Sequence, residues 1–240
     1  MLSARGLVKS YGSTRALAGV DVTVRAGESV AIMGPSGSGK TTLMHVLSGI
    51  LLPDVGSVRL TDAGDAPVEV TALGEEARAR LRRERLGFVF QDGLLLPELT
   101  AQENVALPLM LSGVPRAAAE QHAGQWLAAL GLDGMQDRRL GQLSGGQAQR
   151  VAIARAQVAD PSVVFADEPT GALDSATSAS VLTALLDSTV GRGRTLVMVT
   201  HDEATAARCS RLLRVQDGRI VADSAVRRTP AAAGADGGQR

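Results

Sequence analysis

Gly34, Pro35, Ser36, Gly37, Ser38, Gly39, Lys40, Thr41 and Thr42 spell G-x-x-x-x-G-K-T, a glycine-rich run ending in one lysine and two hydroxyls. Those residue types suit a polyanion. Glycines let successive peptide N–H groups turn inward around it, and a helix starting at Lys40 adds the positive end of its dipole. Lysine is a slim point charge on a flexible stem, where arginine is a broad planar fork. The chain writes nearly every cation as arginine, and Lys40 and Lys9 are its two lysines among 25 Lys and Arg residues. The run therefore predicts a nucleoside triphosphate site, with Thr41 placed to ligate Mg²⁺. A glycine–serine linker holding a lysine has the same composition. The flanks separate the two: Glu28 to Met33 reads as a strand and Lys40 to Ile50 as a helix, the context that a phosphate loop requires.

Two further motifs carry chemistry. Val163-Val164-Phe165-Ala166 is an apolar run, as expected of a strand buried on both faces of a parallel sheet, and it ends in Asp167-Glu168. Ligands of open α/β sheets sit at the carboxyl ends of strands. Asp167 would hold Mg²⁺, directly or through water, and Glu168 would orient and polarise an attacking water. Alone, this pair reads better as an acidic strand-end turn; the upstream phosphate loop reverses that and favours the catalytic reading. Leu143-Ser144-Gly145-Gly146-Gln147 precedes an expected helix from Ala148 to Val158. A Gly-Gly turn opening a helix offers free N–H groups to an anion, although by itself it is an ordinary helix start.

The elements that must position these residues follow from periodicity. Ala16 to Val24 alternates as a half-buried strand does. Gly56 to Leu60 and Leu86 to Phe90 read as strands, and Gly74 to Arg85 as a charged helix with a solvated face. From Asp92 to Asp160 the chain turns Ala-, Leu- and Gln-rich with helical periodicity, which predicts a helical subdomain inserted into an α/β core. Leu196 to Thr200 is another buried strand, and Leu212 to Val215 with Arg219 to Ala222 is a closing hairpin around Asp217-Gly218. The tail from Thr229 is small, polar and predicted to be disordered. Aromatics make up 2% of the 240 residues, so the core must be aliphatic. A formal net charge of zero implies no broad basic face, and no nucleic-acid partner is expected. Cys209 is the single cysteine, which excludes an internal disulfide and fits a reducing compartment. No secretory signal is read at the N-terminus. No apolar run reaches membrane-spanning length; the longest candidate, Asn104 to Val114, is short and holds Pro108.

Taken in order, the phosphate loop, a glutamine after a strand, LSGGQ, the Asp-Glu strand end and a later His-Asp resemble the nucleotide-binding subunit of ABC transporters, over about Leu2 to Arg228. The resemblance implies an α/β P-loop NTPase (RecA-like) core with an N-terminal antiparallel β-subdomain and an inserted α-helical subdomain. Residues 1–91 and 158–228 would form the core and β-subdomain, 92–157 the helical subdomain, and 229–240 the tail. It implies ATP and Mg²⁺ as ligands. Tyr11 matches the aromatic that stacks on adenine. Gln91 matches the glutamine that contacts Mg²⁺ and the attacking water and couples to the membrane partner. Asp174 matches a loop that crosses a dimer interface, and His201 the histidine that contacts the γ-phosphate. His45, His122, Cys209 and Trp126 match no family role and read as surface or packing residues. In the family two subunits pair head to tail, so Ser144, Gly145, Gly146 and Gln147 of one close over ATP held by Lys40 of the other.

Phe88 to Gln91, the stretch from Leu95 to Leu109 and Ala166 to Asp174 look like the branch of macrolide exporters and lipoprotein-releasing systems. That branch pairs with four-helix permeases bearing large extracytoplasmic domains, at the cytoplasmic face of a bacterial membrane. It tends to place Phe-Asn after the glutamine, where this chain has Asp92-Gly93. Leu94 to Leu96 with Leu99, and Leu107 to Leu111, are either helical-subdomain core or a groove for a coupling helix of the permease. The resemblance also admits a cell-division-type regulatory ATPase that acts on a permease-like partner without transport. A soluble repair or translation ATPase fits less well, since paired ATPase domains and long coiled-coil insertions are absent.

Overall fold

The computed structural model describes residues 1–62, 64 and 66–227; the tail expected to be disordered lies outside the described residues. Two sheets share one apolar interior. The first is antiparallel, in the order β2-β1-β4-β5, from β1 (Leu2–Tyr11), β2 (Thr14–Val24), β4 (Val55–Leu60) and β5 (Val68–Glu69). The second has the order β10-β9-β3-β8-β7-β6. It is built from β3 (Ser29–Met33), β6 (Leu86–Phe90), β7 (Val163–Asp167), β8 (Thr195–Val199), β9 (Arg211–Gln216) and β10 (Arg219–Asp223). Its strands run parallel from β6 to β9, and β10 returns antiparallel as the predicted hairpin. The helices are α1 (Lys40–Leu47), α2 (Glu75–Arg85), α3 (Ala101–Leu111), α4 (Arg116–Ala129), α5 (Gly145–Gln157), α6 (Ser175–Thr189) and α7 (Glu203–Ala206).

The central strands are apolar on both faces because both are covered. One cluster joins β3, β7 and β8 through Ile32, Phe165 and Val197 to the antiparallel sheet and α1. The other joins the opposite faces through Val164, Ala166 and Met198 to α3–α6. Phe165 is the largest fully buried side chain and stacks on Phe88 at 5.7 Å between centroids. Trp126 is buried in the helical cluster, and the rest of the core is mainly aliphatic.

Several expectations shift at their edges. The helix from Lys40 stops at Leu47, three residues early, because Ser48 caps it and Gly49 turns left-handed at φ 68°. The charged helix α2 is not wholly solvated: Arg78 and Leu81 are buried, and Arg78 pairs with Glu75 and donates to the Leu73 carbonyl at 2.8 Å. The helix expected from Ala148 begins at Gly145. Ser144 closes a capping box, its Oγ accepting from Gln147 N at 3.3 Å while Gln147 Oε1 accepts from Ser144 N at 2.9 Å. The glycine pair is thus the first turn of α5, not a turn ahead of it. A Cβ at Gly146 would overlap the Thr177 side chain, so glycine there lets α5 and α6 approach.

Candidate active site

Parallel register brings the predicted residues together. Phe90 pairs with Asp167, Asp167 with Val199, and Ile32 with Val199. The next residues of each strand, Gln91, Glu168, Thr200-His201 and Gly34, therefore leave the sheet along one edge. Adjacent strands lie about 4.8 Å apart, so side chains from neighbours can meet.

The phosphate loop is braced from behind. Gly34 and Gly39 have φ of 153° and 103°, and a Cβ at either would overlap the Val215 or Ala16 carbonyl oxygen. Gly218 N donates to Ser38 O at 3.0 Å, tying the loop to the β9–β10 hairpin. Lys40 Nζ donates to the carbonyls of Gly34 and Pro35, both at 2.9 Å, which holds the ammonium across the loop. Among the described residues, the N–H groups of Gly37, Gly39, Lys40, Thr41 and Thr42 have no acceptor, and the Ser38 hydroxyl is buried without a partner. Five free donors beside a cation at a helix N-terminus fit a polyphosphate.

A cavity of about 310 Å³ opens beside the loop, lined by Thr41, Phe90, Gln91, Asp92, Leu94, Asp167 and Glu168. A hydroxyl, an amide and carboxylates form an oxygen donor set suited to Mg²⁺. No group of three or more His, Cys, Asp or Glu side chains gathers for a metal among the described residues. Burial pushes the Asp167 carboxyl up from its ordinary value; His45 opposes this, Glu168 adds to it, and Thr41 and Lys40 oppose it. His45, read as a bystander, thus lies within electrostatic reach of Asp167, and its own pKa is lowered mainly by burial.

Glu168 has φ 45°, a left-handed conformation costing a non-glycine residue about 1–2 kcal/mol. Its N–H donates to Val199 O at 2.9 Å and its carbonyl accepts from Gly171 N at 3.0 Å. Its Oε2 lies 2.7 Å from His201 Nδ1. Gly171 sits where an added Cβ would be 3.3 Å from both Gln91 Nε2 and Glu168 Oε2. Gln91, Glu168 and His201 therefore converge around a glycine that leaves them room. A second cavity, about 500 Å³, extends from Glu168 and His201 past Gly171 to Leu173 and Ser178.

Three predicted residues stand apart. Tyr11 ends β1 half-exposed, with Lys9 Nζ 5.9 Å from its ring centroid. Asp174 caps α6, accepting from Ala176 N and Thr177 N at 3.1 and 3.0 Å. Hydrogen bonds from Thr177 hold its carboxyl below the usual range. Ser144 lines neither cavity at Glu168 and is exposed at the tip of α5.

A family model for ABC transporters matches residues 17–171. The chain belongs to the ABC transporter family. It is 44% identical over 235 residues to the macrolide export ATP-binding/permease protein MacB of Nitrosomonas europaea, covering 96% of this chain and 35% of that protein. It is 43% identical over 224 residues to the bacitracin export ATP-binding protein BceA of Halalkalibacterium halodurans, covering 92% of this chain and 87% of that protein. The chain thus spans about a third of the MacB relative and most of BceA. The ATP-binding cassette MJ0796, solved as a dimer in a post-hydrolysis state with ADP and Pi, matches with TM-score 0.83 and 35% identity over 93% of this chain and 97% of that one. The fold is that of an ABC ATPase cassette, in the macrolide-exporter branch. No helix among the described residues is long and apolar enough to cross a membrane.

The environment of Asp167 makes a prediction. A carboxyl whose folded pKa is raised binds its proton more tightly in the folded state. That stabilisation is present at low pH and is lost as pH rises from the unfolded value through the folded one. Asp167→Asn should therefore raise the melting temperature of the nucleotide-free chain in EDTA at pH 7.5. The gain should shrink toward pH 4, while Mg²⁺-dependent turnover falls. A lower melting temperature at pH 7.5 would contradict this reading.

Proposed function

We propose that this chain is the ATP-hydrolysing subunit of an export system, working as a homodimer on a separate permease at the cytoplasmic face of the membrane. The permease would be of the four-helix type with an extracytoplasmic domain, serving efflux or lipoprotein release. The observation that carries the reading is the convergence of Gln91, Glu168 and His201 beside the Thr41–Asp167 cavity. Lys40 and the free N–H groups of the loop would hold the β- and γ-phosphates, and Tyr11 would stack on adenine. Thr41, Asp167 and Gln91 would hold Mg²⁺, which when bound supplies charge neutralisation at the phosphate oxygens. Glu168 would accept the proton of the attacking water, its carboxylate fixed by His201 on one side and limited by Gln91 on the other.

Ser144 would act on the partner's nucleotide. Its capping bond is worth about 1 kcal/mol, whereas a hydrogen bond to a charged phosphate contributes about 1.5–3 kcal/mol. A phosphate presented by a second subunit can therefore win the hydroxyl from its cap. Dimeric MJ0796 supports the pairing. Asp174 and Leu173, beside Gly145, would lie near that interface.

The permease would dock in a groove of about 440 Å³ between α2, β6 and α3. Leu107, Pro108, Leu111, Phe88 and Phe90 give it apolar walls, and Arg82, Arg83 and Arg155 its charge, with no Asp or Glu in the lining. An amphipathic helix carrying a carboxylate fits that chemistry. Leu94 to Leu96 and Leu99, grouped with it on sequence, do not line the groove, and Leu95 is buried in the helical core.

Glu168→Gln keeps the shape of the side chain but removes the base. It should bind ATP, lose about 10²- to 10⁴-fold in kcat and elute as an ATP-dependent dimer; wild-type turnover would refute the role of Glu168. Leu111→Asp should reduce copurification of the permease and its stimulation of ATPase activity. Undiminished stimulation would place the docking surface elsewhere.

A further inference from the structure

The loop that carries Gln91 is fastened to α5 on both sides of that residue. Before it, Gln149 Nε2 donates to the Phe90 carbonyl at 2.9 Å. After it, Arg155 donates through Nη2 to the Gly93 carbonyl at 2.6 Å and through Nη1 to the Leu94 carbonyl at 2.7 Å. Gln149 is buried. Arg155 is largely desolvated, burial lowers its pKa, and it has no carboxylate partner among the described residues. Burying a guanidinium without a counter-ion is costly unless its donors are well used. Here they are spent on two carbonyls of one short loop. That loop needs holding: Gly93 and Leu94 both have positive φ, 65° and 48°, and for leucine this is strained. Asn104 pins the far end, accepting from Leu96 N at 2.8 Å and donating to Leu96 O at 3.0 Å.

We propose that Arg155 and Gln149 are positioning residues that fix Gln91 relative to α5, so that the helix tipped by Ser144 and the loop bearing Gln91 move as one piece. Neither residue lines the cavity beside Thr41 and Asp167; both act through the backbone of residues 90–94. Arg155 also lines the groove between α2 and α3, so a segment seated there touches the side chain that holds the loop. The assignment rests on the reading of Gln91 and Glu168 as hydrolytic residues. In a dimer it has a consequence. One α5 would present Ser144 to the partner's nucleotide while steering Gln91 at its own, which couples the two sites through a rigid helix rather than through the nucleotide alone.

The test uses the purified full chain and MgATP. Arg155→Gln removes the charge and one of the paired donors, Arg155→Lys keeps the charge without the fork, and Gln149→Met removes the Phe90 bond at similar volume. Three readouts are needed: ATP affinity from a fluorescent analogue, steady-state ATPase activity, and hydrogen exchange of the amides in 90–96. The expected pattern for Arg155→Gln is ATP affinity within about threefold of wild type, kcat at least tenfold lower with KM little changed, and faster exchange confined to 90–96. Arg155→Lys should recover part of kcat, and Gln149→Met should show the same split more weakly. Unchanged kcat in both Arg155→Gln and Gln149→Met would overturn the proposal. So would a loss of kcat matched by an equal loss of ATP binding and faster exchange throughout the core, since that is a folding defect. If Glu168→Gln turns over normally, the hydrolytic reading fails first; the exchange readout still reports whether α5 holds the loop.

Discussion

The parallel register of β3, β6, β7 and β8 is the constraint on which everything else depends. It sets Phe90, Asp167 and Val199 side by side, so the residues that follow each of them leave the sheet at the same height. With both faces apolar, side-chain shape fixes that register: a slip of one residue would turn every side chain of a strand into packing built for its neighbour. Phe165 against Phe88, with Ile32 and Val197 in the same cluster, locks all four strands from one side. On the other side Val89, Val164, Ala166 and Met198 lock β6, β7 and β8 against the helices. The convergence of Gln91, Glu168 and His201 is a by-product of packing that lies one or two residues behind it.

The edge so created is held at some cost to stability. Asp167 is partly buried beside the Glu168 charge, Glu168 is left-handed, and five peptide donors of the phosphate loop have no acceptor among the described residues. A bound polyphosphate with a divalent cation would meet the Asp167 carboxyl and the unused donors, whereas the backbone strain at Glu168 is held by its bonds to Val199 and Gly171. The site thereby gains differential affinity for the nucleotide-bound state, which is the condition for ligand binding to shift a conformational equilibrium. The bracing glycines and the β9–β10 hairpin keep the loop from relaxing in its absence.

Much of this was legible in sequence because local rules and topology agree. The phosphate loop has its own glycine chemistry, and the apolar runs of β3, β7 and β8 announce strands buried on both faces. What escaped was either masked locally or set by distant contacts. β1 has its alternation broken by Gly6 and by register shifts against its neighbours. α6 is a Ser-, Thr- and Ala-rich helix without a strong apolar stripe, capped by the same Asp174 that drew attention for another reason. The Ser-x-x-Gln spacing at Ser144 carries a capping box, which starts α5 at Gly145 and not at Ala148. No pattern in the sequence indicates that Arg155 reaches carbonyls some sixty residues away, or that His45 lies near Asp167. Those are consequences of how α5 and α1 pack against the strand ends.

We propose a composite active site, with Lys40 from one subunit and Ser144 from the other. Mixing two inactive variants tests it directly. Lys40→Ala cannot hold nucleotide, and Ser144→Arg cannot close over it. A mixed dimer then contains one site with both residues intact and one with both defective. Each variant alone should be inactive, and an equimolar mixture should regain ATPase activity that rises with the fraction of mixed dimer. A mixture that stays as inactive as its components, with mixed dimers demonstrated, would contradict it.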